Sequence, residues 1–117
     1  MKNKNKFFQE IMRLELQDLQ EDIDELLQGN REKYENNKIT QRVFMENEAL
    51  YKNELIGLEI FKTLLLDKKP ADFKDLAEFI LTLKEEFHLV LKKEEIALAV
   101  KLCIDRKLLK VSEYVDR

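Results

Sequence analysis

Glycine, proline and cysteine are scarce in this 117-residue chain: there are 2, 1 and 1, with no tryptophan and a single histidine. Ordinary usage would supply ~8 glycines and ~6 prolines at this length. A β-sandwich or barrel needs Gly/Pro-rich turns about every ten residues, so that class is excluded. Gly29 and Gly57 can build neither a phosphate-binding loop nor a dinucleotide fingerprint. One cysteine, Cys103, cannot form an intrachain disulfide, and its place in an apolar helical run points to burial. Long apolar runs are missing too. The longest candidate, residues 55–66, contains Glu59 and Lys62 and falls short of the ~20 apolar residues of a membrane span. The basic start, residues 1–6, is followed by no apolar stretch of signal-peptide length, because Arg13 and Glu15 interrupt it. A reducing, cytoplasmic setting and no membrane contact are the expectations.

What is present is charge and helical periodicity. Charged residues make up 38% of the chain, 21 basic against 24 acidic, for a net charge of −3. The net is −3 over residues 1–30, +1 over 31–69, −3 over 70–90 and +2 over 91–117. No stretch has the strongly basic footprint of a dedicated nucleic-acid binder.

The apolar spacing predicts about four helices. The first is expected over residues 4–28, with Met12, Leu16, Leu19, Ile23 and Leu26 spaced as a coiled-coil seam. Phe8, Ile11, Leu14 and Leu27 widen that seam, and Gly29-Asn30 is the expected stop. Asn36-Asn37 could cap a helix beginning at Lys38. With no proline or glycine in the way, a start at Arg31 is preferred, which makes the second helix about 54 Å long. Phe44, Tyr51, Leu58 and Leu65 recur along it every seven residues. A hairpin turning at Gly29 would leave residues 55–66 overhanging the start of the first helix, to be covered by later residues or by another subunit. Pro70 suits the first turn of a third helix, where its missing N–H is not needed. That helix is expected to run to about Phe87, with Phe73, Leu76, Ala77, Ile80, Leu83 and Phe87 inward. A break is placed within residues 88–93, and a fourth helix over 93–109, apolar enough to be central. Ser112 could cap a further short helix.

The expected architecture is therefore all-α: a long antiparallel hairpin arm, residues 1–54, joined to a small three-helix head, residues 55–117, as a single unit. Its function is expected to be non-enzymatic, as a protein–protein interaction or adaptor protein acting through the arm. The partner would be another protein or a second copy, as a homodimer. Met12, Leu16, Leu19 and Ile23 from the first helix, with Phe44 and Tyr51 from the second, are the contact candidates, though they could equally close the intrachain hairpin. Tyr34, in a polar stretch, and Leu81, between Glu78 and Glu85, are added as apolar groups facing outward. Charges such as Glu21, Asp22, Arg31 and Arg42 would set register or partner choice.

Two other classes are weighed. A dimeric nucleic-acid-binding regulator would use Arg106, Lys107 and Lys110 on a basic last helix, although that helix lacks a clean polar face. A metal-dependent hydrolase would need the acidic run Glu15, Asp18, Glu21, Asp22, Asp24 and Glu25 to meet a second acidic cluster. The facing segment mixes Glu32, Glu35 and Glu46 with Arg31, Lys33, Lys38 and Arg42, which suits charge pairing better. Glu85-x-x-His88 has the spacing of a di-iron half-site, but the chain has only one histidine. Ser112, Cys103 and His88 show no nucleophile–base arrangement. No catalytic residue, cofactor or metal is assigned.

Overall fold

The computed structural model describes residues 3–94, 96 and 98–117. Its elements are α1 (Asn3–Glu35), α2 (Gln41–Asp67), a 3-10 turn (Pro70–Asp72), α3 (Leu76–Lys93) and α4 (Leu98–Val115). The chain is all-α, as its composition implies.

Helix α1 runs past the expected stop at Gly29 by two turns. A Cβ at Gly29 would meet nothing within 4 Å, and the backbone there is not left-handed. An interior glycine costs a helix only about 1 kcal/mol. The continued turns offset this by pairing with α2. The true stop is Asn37, the one non-glycine residue described with positive φ, at 57°. Around it the Lys38 N–H donates to the Lys33 carbonyl and the Asn37 N–H to the Tyr34 carbonyl. That pair of bonds is a Schellman motif, which asparagine can close because it tolerates the left-handed region. Helix α2 then starts at Gln41, later than either start weighed above, with the Thr40 hydroxyl accepting from the Val43 N–H.

The moved turn removes the overhang. The first half of α1 lies beside the second half of α2, where the Gln9 amide donates to the Leu65 and Lys68 carbonyls. The inner side of residues 55–66, with Leu58, Phe61 and Leu65, is thus covered within the chain by α1, α3 and α4, while Ile56 and Leu66 stay exposed. The buried face of α1 comprises Asn5, Phe8, Met12, Leu16, Leu19, Ile23, Leu27 and Asn30, Leu19 only partly. Its steps are 3, 4, 4, 3, 4, 4, 3, an eleven-residue repeat that keeps one face inward along a nearly straight helix. The seven-residue seam breaks at its last member: Leu26 is 48% exposed, while Leu27 is 7% exposed. On α2 the Phe44–Tyr51–Leu58–Leu65 series does face inward, fully buried at Leu58 and Leu65.

Pro70 opens the short 3-10 turn rather than α3 itself. Helix α3 begins after Asp75, whose carboxylate accepts from the Glu78 N–H, while the Glu78 carboxylate accepts from the Lys74 N–H. Its inner face is Leu76, Phe79, Leu83, Phe87 and Leu91; Ala77, expected inside, is exposed. The helix continues through residues 88–93, and the break falls after Lys93. Helix α4 buries Val100, Ile104, Leu108 and Val111 and exposes Leu102 and Leu109, so it is one-sided rather than central. No new helix starts at Ser112, whose hydroxyl donates to the Leu109 carbonyl inside α4.

Helix α4 runs antiparallel to α1, with Lys4 paired to Asp116 at one end and Lys107 paired to Glu15 further along. Phe8, Met12 and Leu16 of α1 share one core cluster with Leu58, Phe61, Phe79, Phe87 and Ile104. The head therefore takes in the first half of α1. The arm is what projects beyond α4. The extents are 55 × 29 × 19 Å and the radius of gyration is 16.4 Å. A compact chain of this length would have about 13 Å.

Candidate interaction surfaces

Most of the contact candidates read from the sequence are used inside the chain. Met12, Leu16 and Ile23 are buried in the core, and Leu19 and Tyr51 pack against it. Tyr34 stacks on Phe44, ring centroids 4.4 Å apart and 11° between planes, which closes the arm tip. Asn30 is buried there: its amide donates to the Phe44 carbonyl and accepts from the Asn47 side chain. Arg31 pairs with Glu48 across the hairpin at 3.1 Å, and Arg42 with Glu46 along α2 at 3.0 Å. These seam residues serve the intrachain hairpin, the alternative reading of the same pattern. Leu81 does face outward on α3, as Leu89 does further along the same helix.

The basic candidates on α4 divide. Lys107 and Lys110 both reach the Glu15 carboxylate, at 3.2 and 3.6 Å. Burial would raise the Glu15 carboxyl, but the hydrogen bond and charge of Lys107, reinforced by Lys110, outweigh it and hold the group below the ordinary carboxylate value. Arg106 is exposed and makes no ion pair among the described residues. Elsewhere Glu85 and His88 lie on the exposed side of α3. Burial, then the nearby Glu54 charge, push the Cys103 thiol up, which makes it a poor nucleophile. Among the described residues no three His, Cys, Asp or Glu side chains converge.

Apolar groups stay exposed on several faces, including Ile56 beside Ile60 and Leu64 on α2, Leu89 on α3, and Leu102 and Leu109 on α4; two surfaces draw on more than one helix. The first lies in the groove of the projecting arm. Val43, Leu50 and Gly57 follow one strip of α2 at seven-residue spacing. At Gly57 that strip is covered by Val100 of α4. Above it, Val43 and Leu50 are exposed. On α1, Leu26 is exposed and lies eleven residues beyond the α4-facing Glu15, which puts it on the same side of that helix. Glu54 sits where α4 begins to cover the groove, and burial raises its carboxyl.

The second surface is the outer side of α1 and α4. Phe7 and Tyr114 lie ring to ring at 6.0 Å, both partly in solvent. Beside them a cavity of about 340 Å³ is lined by Ile11, Leu14, Val111 and Tyr114, with Asp18 and Lys110 on its rim. Leu14 is 48% and Tyr114 51% exposed. A signal for both surfaces was in the sequence: Phe7, Leu14 and Leu26 are, with Ile11 and Tyr34, the α1 apolar residues off the eleven-residue repeat.

A larger depression, about 540 Å³, opens where α1 starts beside the 3-10 turn. There the Asn5 amide is turned to the Pro70 and Phe73 carbonyls, so it ties two segments together.

No family model, no curated protein and no solved structure matches this chain.

Proposed function

We propose that this protein is a non-enzymatic helical interaction protein whose projecting arm docks a helix of another protein. The observation that carries this reading is the uncovered groove above α4. The strip that seats α4 at Gly57 continues along the arm through Leu50 and Val43, and Leu26 is exposed on the same side of α1 as Glu15. A helix entering there would continue the packing that α4 makes lower down, by laying an apolar face into a groove. The arm beyond Ile23 offers about twelve residues of α1, or ~18 Å, under a helix ~10 Å across. That footprint is a few hundred Å², well under the ~800 Å² per partner of a standard stable interface. The docking is therefore weak and reversible.

Two competing classes have less to stand on. A nucleic-acid regulator would need Lys107 and Lys110 on phosphates, yet Glu15 already engages both. A metal-dependent hydrolase would draw on the acidic run of α1, whose Glu15 is held by those lysines.

The test is site-specific photo-crosslinking in cells of the natural host, with the photoreactive residue at Leu50. The expected result is a discrete adduct to another protein, lost when Leu26→Glu is added. Adducts that are absent, or indifferent to Leu26→Glu, would overturn the reading.

A further inference from the structure

We propose that the outer face of α1 and α4 is a homodimer interface, on which two copies of this chain meet around a two-fold axis running along the helices. This surface is separate from the arm groove and does not depend on it.

The argument starts from the way the two helices are ordered. In one copy, α1 and α4 lie antiparallel, with Phe7 level with Tyr114, and Glu15 level with Lys107 and Lys110. A two-fold axis along the helices keeps those levels and exchanges left for right. The α1 of one copy is then laid on the α4 of the other, each contact occurring twice, as an isologous interface requires. Phe7 and Leu14 meet the Tyr114 side of the partner, and the exposed apolar groups around the cavity are covered.

The charges fit the same arrangement. Asp18, one turn above Glu15, and Arg106, just before Lys107, are both exposed, and neither makes an ion pair among the described residues. In the paired arrangement Asp18 of one copy comes within a turn of Arg106 of the other. A parallel shift or an end-to-end contact would not bring these two groups to one level. Each copy thus offers Asp18 from α1 and Arg106 from α4 to the opposite charge of the other, and this pair sets the register.

The size is adequate. Helix α4 has 18 residues, so the face is ~27 Å long. Two helices abreast make it about 20 Å wide, a flat area of ~540 Å² that side-chain relief brings to the lower end of the ~600–1,000 Å² per partner of a stable interface.

The test is sedimentation velocity of the full chain over a wide concentration range. The expected result is a reversible monomer–dimer equilibrium. Leu14→Asp should weaken it at least tenfold while circular dichroism shows the fold retained. Asp18→Arg and Arg106→Asp should each weaken it severalfold, through like-charge contacts. An equimolar mixture of those two variants should associate more tightly than either alone, because both cross-pairs are then restored. A chain monomeric at every concentration overturns the proposal. So does a dimer indifferent to Leu14→Asp, or a mixture no tighter than its components.

Discussion

Replacing Gly57 by alanine would put a methyl group into the contact between α2 and α4. The new Cβ would fall 3.1 Å from Val100 Cβ and closer still to Cγ1. Val100 is buried and β-branched, so its side chain cannot swing clear at low cost. Overpacking of this kind costs about 1–3 kcal/mol. The gain in helix propensity offsets about 1 kcal/mol of that. The net expectation is a destabilisation of about 1 kcal/mol. Gly29 is the control, since it too lies within a helix but with nothing within 4 Å of the added methyl. Gly29→Ala should therefore stabilise by up to about 1 kcal/mol. Urea unfolding followed by far-UV circular dichroism reads both, provided the slopes with denaturant stay equal. Adding Val100→Ala to Gly57→Ala should cost less than the two changes summed, by ~1 kcal/mol or more, because the partner of the clash is gone. If Gly57→Ala stabilised the protein as Gly29→Ala does, α4 would not be seated on α2 in this way.

Further outcomes follow from the same contacts. The Glu15 carboxyl is depressed in the folded chain, so its contribution is present above its unfolded value near 4.5 and is lost as pH falls through the folded value. Lys107→Met should flatten that acid-side loss in unfolding curves taken at successive pH values; an unchanged acid limb would refute the pairing. At the hairpin turn, Asn37→Ala should cost about 1 kcal/mol because the left-handed backbone loses a tolerant residue, whereas Asn37→Gly should cost nothing. Thermal denaturation of the two variants separates them, and equal midpoints would remove the Schellman turn from the account.

Particular residues show how far the fold could be read in advance. The Phe44–Leu65 series was legible because seven-residue spacing and burial coincide along α2. Gly29 misled for an energetic reason. Its cost to a helix is about 1 kcal/mol, less than two more turns gain by burying Asn30 and stacking Tyr34 on Phe44. Local rules weigh the first quantity and cannot see the second. The same holds for Phe79, whose burial against Phe8 and Phe73 comes from segments about seventy and six residues away. On the surface, exposure of Leu14, Leu26, Leu50 and Tyr114 could not be told from burial, since apolar residues off the main repeat can face a neighbouring helix or water.

Sequence alone determined the helical class, the scarcity of turns and the heptad strip of α2, because these depend on composition and on the 3.6-residue period. Tertiary structure alone decided where α1 stops, that Glu15 engages Lys107 and Lys110, and which apolar faces are left open. Those outcomes depend on contacts between residues far apart in the chain. Each is settled by which distant partner a residue meets, and no local pattern records that partner.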